Sequence, residues 1–152
     1  MAQQLVKIRD LKPEDMRAIL DIEYRCFPDP YPLSLLHNLH KMHPRGFLVA
    51  ELDGKVVGYV IGVIRWGFTG HILAIAVDPP FRRRGVGSAL LISMLDRLRA
   101  SGAREVRLEV RKSNVGAQRF YSKIGFVKQE EVPYYYEDGE SAIVMTYKYG
   151  AR

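Results

Sequence analysis

Seven consecutive residues, His71 to Val77 (HILAIAV), are apolar on both faces, which marks a central strand covered by helices. Pro79-Pro80 ends it, since proline donates no ladder hydrogen bond. The segment from about Gly85 to Ser101 then carries Leu90, Leu91, Met94, Leu95 and Leu98 on one stripe, with Gly102 just past its end. That is the pattern of an amphipathic helix. A buried strand feeding such a helix commits the chain to helices layered on a mixed sheet.

The flanking segments supply the other elements. Leu5 to Asp10 alternates as a first strand, and Pro13 with Glu14 and Asp15 starts a helix whose buried stripe is Met16, Ile19 and Leu20. After the proline-broken FPDPYP, Phe27 to Pro32, a second helix is expected over Leu33 to Met42. Phe47 to Leu52 and Val56 to Arg65, joined by Asp53-Gly54, read as a hairpin, because Asp-Gly supplies the positive φ of a tight turn. Glu105 to Arg111 alternates, with Val106, Leu108 and Val110 opposite Arg107, Glu109 and Arg111. Ala117, Phe120, Tyr121 and Ile124 share one face of a short helix stopped by Gly125, and strands at Phe126 to Val132 and Ala142 to Tyr149 finish the chain. The expected fold class is α/β (α+β): one domain over residues 1–152, its mixed sheet of about seven strands carrying about four helices on both faces.

A chain of 152 residues with 47% hydrophobic and 26% charged residues supports one normal core. The longest uninterrupted apolar run, Val56 to Ile64, is nine residues with two glycines, against about 20 needed to cross a bilayer. No membrane span is expected, and MAQQLVKIRDL has no charged leader before an apolar run, so the expected location is cytoplasmic. Cys26 is the only cysteine; it excludes an internal disulfide and a cysteine zinc cluster, and reads as a small buried hydrophobe. The balance of 23 basic and 17 acidic residues, net +6, favours anionic partners: nucleic acid, ribosomes or a phosphate-bearing cofactor.

The arrangement of those charges chooses among them. In VDPPFRRRGVGSALL, Arg82, Arg83 and Arg84 run into Gly85, Val86, Gly87 and Ser88 at the start of the long helix. First-turn N–H groups lack intrahelical partners and the helix dipole attracts negative charge, so the turn is an anion site. Its glycines allow close approach, its guanidiniums add charge-assisted contacts, and a pyrophosphate suits it. The Walker pattern is absent. A dinucleotide fingerprint is weakened by Leu90 at the third glycine position, although Glu109 lies near the end of the next strand where a ribose-binding acid would sit. A merely solvated basic turn is the plain alternative. Nucleic acid fits less well, because the arginines form one point cluster without an aromatic-bearing basic strand face.

Two segments together carry a family resemblance. AVDPPFRRRGVGSALL resembles the acetyl-CoA signature R/Q-x-x-G-x-G/A of the GNAT N-acetyltransferase superfamily, with Arg82, Gly85 and Gly87 at its defined positions. LEVRKSNVGAQRFYSKIGF is similar to that superfamily's N-x-x-A-x-x-x-Y-x-x-x-G-F, carried by Asn114, Ala117, Tyr121, Gly125 and Phe126. YYEDGESA and FPDPYP extend the likeness to the protein N-terminal acetyltransferases of the RimI and arrest-defective types. The resemblance implies the GNAT fold with its fourth and fifth strands splayed around acetyl-CoA. Main-chain groups of Ile75, Ala76 and Val77 would pair with the pantetheine, amides of Arg83 to Ser88 would hold the pyrophosphate, and Asn114 would contact the cofactor from the other side.

Acetyl transfer to an amine needs a neutral amine, a stabilised oxyanion and a proton for the departing thiolate. With pKa about 7.7 to 8.0 against about 10.4 for lysine, an α-amine is neutral at pH 7 to roughly 10 to 15%, an advantage of about 3.5 kcal/mol. The resemblance implies Tyr121 as the proton donor to the thiolate and Glu109, twelve residues earlier, in the place of a proposed base. Arg107 and Arg111 on the same strand face would favour the Glu109 carboxylate, pointing to a water relay or to fixing the amine. Asp29 matches a glutamate at the family's peptide entrance, and Tyr31 and Tyr136 match tyrosines flanking the substrate N-terminus. His71 with Glu109 gives only two metal ligands, so His71 reads as structural and no metal requirement is expected. The expected partners are protein or peptide N-termini, ribosomal proteins among them, with no nucleic acid and no membrane, and the expected state is a monomer or weak homodimer. Transfer to internal lysines or small polyamines is the enzymatic alternative, and a non-catalytic CoA-binding regulatory domain the other.

Overall fold

The computed structural model of the protein describes residues 5–150. Seven strands and four helices follow the expected order: β1 (Lys7–Asp10), α1 (Met16–Cys26), α2 (Leu33–Met42), β2 (Phe47–Leu52), β3 (Lys55–Arg65), β4 (Thr69–Val77), α3 (Val86–Ala100), β5 (Glu105–Arg111), α4 (Val115–Ile124), β6 (Val127–Val132) and β7 (Ala142–Lys148). The strands lie in the order β1-β2-β3-β4-β5-β7-β6 in a mixed sheet. Contacts divide the chain into two compact units, one of residues up to Val63 with Leu73–Asp96, the other of Ile64–Ile72 with Arg97 onward. No described helix is long and apolar enough to cross a membrane.

In the first unit β1 pairs antiparallel with β2, Lys7 opposite Glu51 and Asp10 opposite Leu48, and β2 with β3. Asp53 and Gly54 close the hairpin with φ of 49° and 77°, both positive as a type I′ turn requires. Ile19 and Ile22 of α1, Leu36 of α2, Phe47 and Val49 of β2, and Tyr59 and Ile61 of β3 form its core. Each such side chain contributes about 1.5 to 3 kcal/mol by leaving water. The first helix starts later than the sequence suggests, because Pro13–Asp15 is a 3-10 turn. Its tightness has a local cause: Asp15 accepts the Lys12 N–H at 2.7 Å and holds Arg9 through two bonds of 2.7 and 3.1 Å.

In the second unit β4 runs parallel to β5, with Thr69, Gly70 and His71 opposite Glu105, Val106 and Arg107. β7 pairs antiparallel with β5 along its length and with β6 on its other side. The alternation of β5 is realised, with Val106, Leu108 and Val110 buried. Helix α4 ends in a Schellman arrangement: the Phe126 N–H reaches the Tyr121 carbonyl at 3.0 Å and the Gly125 N–H the Ser122 carbonyl at 3.1 Å, with Gly125 at φ 126°. Phe126 therefore belongs to the cap and packs on Tyr121 and Tyr147, and β6 starts one residue later than expected.

Candidate active site

The anion turn lies in the first unit and is anchored where β4 ends. Asp78 is buried, donates its N–H to the Val57 carbonyl at 2.8 Å, and binds the Arg25 guanidinium at 2.9 and 3.2 Å. Pro79–Phe81 forms a 3-10 turn, where the sequence suggested only a strand terminator. Arg83 and Gly85 follow with φ of 64° and 79°, turning the main chain ahead of α3. No acidic residue stands in the first turn of α3, so nothing there competes with a bound anion for its amides. Val86 is buried and Gly87 and Ser88 are half-buried, while Arg82, Arg83 and Arg84 are exposed.

The three arginines are not equivalent. Arg82 folds back, donating from Nε to the Val77 carbonyl at 3.0 Å and from Nη2 to Cys26 Sγ at 3.3 Å, and Cys26 donates to the same carbonyl at 3.6 Å. Arg84 lies over the Phe81 ring, 5.5 Å from its centre. Burial pushes the Cys26 thiol above its ordinary pKa against the pull of Arg82. The thiol thus stays neutral, but Cys26 is half-buried and hydrogen-bonded where the sequence reads as a small buried hydrophobe. Of the expected strand residues, Ala76 is buried and Ile75 and Val77 are half-buried.

The FPDPYP segment belongs to the same unit. Asp29 is exposed and Tyr31 half-buried. Tyr31 donates its hydroxyl to the Leu73 carbonyl at 3.3 Å and its main-chain N–H to Glu23 Oε2 at 2.9 Å. Glu23, only 2% exposed, also accepts the Tyr59 hydroxyl. Sequence reasoning passed over Glu23, yet the signal was available: Met16, Ile19 and Glu23 fall on one helical stripe, so a carboxylate stands on the buried face of α1.

The second unit holds the candidate acid–base residues Glu109, His71 and Tyr121. Glu109, its side chain 11% exposed, accepts from Arg107 Nε at 2.8 Å and lies 2.7 Å from His71 Nε2. Burial pushes its carboxyl up, but the bonds from His71 and Arg107 outweigh this and hold it below the ordinary carboxylate value. The His71 ring stacks at 5.6 Å on Trp66, over which Arg107 also lies. His71 Nδ1 is buried with no hydrogen-bond partner. Of the two arginines expected to favour Glu109, Arg107 is bonded to it, while Arg111 binds Asp138 and Glu140 on the loop before β7, each at 2.9 Å, and lies 4.2 Å from the centre of the Tyr136 ring.

Tyr121 is buried, and burial with repulsion from Tyr136 pushes its phenol up to about 12. Tyr136, half-buried, is likewise pushed up to about 12, by burial first and then by Tyr135, against the opposing pull of Arg111. Asn114 is exposed and caps α4, its Oδ1 accepting the Ala117 N–H at 3.1 Å. The cap leaves the side-chain NH2 out of the bond. Among the described residues no group of three His, Cys, Asp or Glu side chains is placed to hold a metal ion.

Comparison with known proteins agrees with this architecture. An uncharacterized N-acetyltransferase of Methanocaldococcus jannaschii is 43% identical over 142 residues, covering 93% of this chain and 90% of that protein. An N-alpha-acetyltransferase of Sulfurisphaera tokodaii is 37% identical over 151 residues, covering 91% and 90%. The crystal structure of Ard1 from Thermoplasma volcanium superposes with a TM-score of 0.91 at 37% identity, covering 96% of this chain and 99% of that one. The model of the acetyltransferase (GNAT) family matches residues 16–126, from the start of α1 through the cap of α4, and the chain belongs to that family.

Proposed function

We propose that the chain transfers the acetyl group of acetyl-CoA to the α-amine of a protein or peptide N-terminus. The family implies acetyl-CoA, and the residues present suit it. Positive φ at Arg83 and Gly85 aims the turn, the opening amides of α3 have no acidic competitor, and Arg83 and Arg84 add charge. On the family's pattern, amides of Arg83 to Ser88 would hold the pyrophosphate and main-chain groups of Ile75 to Val77 the pantetheine, and the same pattern assigns Asn114 to the cofactor. Bound there, acetyl-CoA supplies an activated acetyl thioester.

The observation that carries the proposal is the Glu109 carboxylate, bonded to both Arg107 and His71. Held below its ordinary pKa, it is charged at neutral pH and a weak base. It therefore suits holding an ammonium group and passing its proton on through water, rather than removing a lysine proton outright. An α-amine, with its lower pKa, demands only that much. Tyr121 keeps its proton throughout the working range, and what it offers a developing sulfur anion is a donated hydrogen bond ahead of any proton transfer. The family's pattern assigns Asp29, Tyr31 and Tyr136 to the acceptor N-terminus.

The family match runs through both compact units, which supports reading residues 1–152 as one catalytic domain. We place it in the cytoplasm, acting as a monomer or weak homodimer on protein or peptide N-termini, including those of ribosomal proteins. The test is a panel of peptides beginning Ser, Ala, Thr, Met-Leu and Met-Glu, beside N-blocked peptides containing lysine, with acetyl-CoA. Acetylation is expected on the free N-termini; acetylation confined to the blocked peptides would overturn the acceptor assignment, and none at all would favour a CoA-binding regulatory domain.

A further inference from the structure

Glu23 has no place in the chemistry above, yet it is among the most deeply enclosed charged residues of the first unit. It lies on α1 at 2% exposure and both its oxygens are engaged, Oε1 by the Tyr59 hydroxyl and Oε2 by the Tyr31 main-chain N–H at 2.9 Å. Burying a carboxylate costs several kcal/mol unless its lone pairs are satisfied. Packing alone would be served better by another isoleucine on that stripe. What the carboxylate adds is a fixed point for one backbone position, Tyr31, in a segment whose prolines give it few donors of its own. Tyr31 is held a second time through its hydroxyl on the Leu73 carbonyl, and its ring packs against the core built from Ile19, Ile22 and Tyr59. Burial, followed by the charge of Glu23, pushes the Tyr59 phenol well above its ordinary value, so Tyr59 remains a donor throughout.

We propose that Glu23 is the positioning residue of the acceptor slot: through its bond to the Tyr31 N–H, braced by Tyr59, it sets the segment bearing Asp29 and Tyr31 in the conformation that receives a peptide N-terminus. This rests on the reading above that Asp29 and Tyr31 take the acceptor. An ordered slot spares the peptide the entropy of arranging the loop, so the effect appears in peptide affinity and not in cofactor affinity.

The test compares Glu23→Ala, Glu23→Gln and Tyr59→Phe with the wild type, using an N-terminal peptide and acetyl-CoA, with deuterium exchange at the Tyr31 amide measured on the same proteins. Glu23→Ala is expected to raise the peptide KM about tenfold and leave the acetyl-CoA KM within about twofold. Its Tyr31 amide should exchange about tenfold faster or more. Glu23→Gln keeps an oxygen for the Tyr31 N–H and is expected to recover most of both losses. Tyr59→Phe, which leaves the core volume intact and stays informative if Glu23→Ala does not fold, is expected to raise the peptide KM about threefold. The proposal is overturned if the two KM values rise together, if the peptide KM is unchanged in folded Glu23→Ala and Tyr59→Phe, or if Tyr31 exchange is unaltered in the variants. A wild type that acetylates no N-terminus would instead refute the underlying reading, and the exchange measurement would still judge the tether.

Discussion

His71 Nε2 and Glu109 Oε1 lie 2.7 Å apart, joining residues 38 positions distant in sequence. The bond belongs to the short parallel pairing in which His71 stands opposite Arg107. With Arg107 on its other oxygen, Glu109 is ionised well before neutrality, despite its burial.

The pH dependence follows from that sign. Because the Glu109 pKa is lowered, the carboxylate is present throughout the neutral range, and the rise of kcat/KM with pH is expected to follow the acceptor, with an apparent pKa of about 7.7 to 8.0 for a peptide α-amine. Glu109→Gln should lower kcat/KM by about 100-fold at pH 7, with partial recovery at pH 9 where the amine is already neutral. Steady-state profiles of the two proteins with one peptide decide it; equal rates would remove Glu109 from the chemistry.

Tyr121→Phe removes a hydroxyl and keeps the ring packed against Phe126. Turnover is expected to fall at least about tenfold while the acetyl-CoA KM changes less than about twofold. With the phenol pushed up to about 12, the wild type should show no alkaline loss of activity from Tyr121 up to pH 10. Unchanged turnover in the variant would remove it as the donor.

The arginines of the turn can be separated by salt. Arg82 is occupied by Val77 and Cys26, whereas Arg83 is exposed at the turn itself. Arg83→Ala is expected to reduce the ionic-strength dependence of acetyl-CoA binding, and Arg82→Ala to leave it nearly intact. Gly87→Leu should abolish binding by filling the approach to the amides; calorimetry on the three variants reads both effects.

Acid stability has a defined source at the base of α1. Burial raises the Asp15 pKa, but Arg9 and the Lys12 N–H outweigh it and lower the value. A depressed folded pKa contributes stability above the unfolded value, about 3.9, and that contribution is lost as pH falls through the folded pKa. Asp15→Asn is expected to cost about 3 kcal/mol at pH 7 and progressively less below pH 4. Urea melts at pH 7, 4 and 3 measure it, and a constant difference would contradict the assignment.

Arg111→Met tests the loop that carries Tyr136. Losing two carboxylate partners and the stacked guanidinium should make residues 134–141 cleave faster under limited proteolysis and raise the peptide KM about fivefold. An unchanged digestion pattern would show that the loop is held by other means.

What the sequence disclosed depended on the range of the forces involved. β2, β5 and α2 have the limits expected of them, because periodicity and nearby breakers act over a few residues. Elements went astray where distant contacts decide. The expected strand begins at His71, yet Gly70 already lies within β4, where a Cβ would come within 3.0 Å of Leu98 Cδ1 and 3.1 Å of Val106 Cγ2. Phe126, which reads as strand, was lost to a local competitor instead, its N–H claimed by the Tyr121 carbonyl at the end of α4. The two family motifs were legible because their spacing is local. Glu23, the diversion of Arg111 and the engagement of Arg82 were not, since each depends on a partner more than 25 positions away.

The end of β4 is clamped at Asp78 by the Val57 carbonyl on one side and the Arg25 guanidinium on the other. The chain consequently leaves the strand in a single direction, and the turn that follows is presented to solution already shaped. For the acetyl-CoA proposed above, capture at such a turn would resemble docking onto a rigid receptor, with a speed set by diffusion and charge attraction instead of by loop rearrangement. Loosening the clamp, as in Arg25→Ala, would convert a fast bimolecular step into one gated by the protein's own motion.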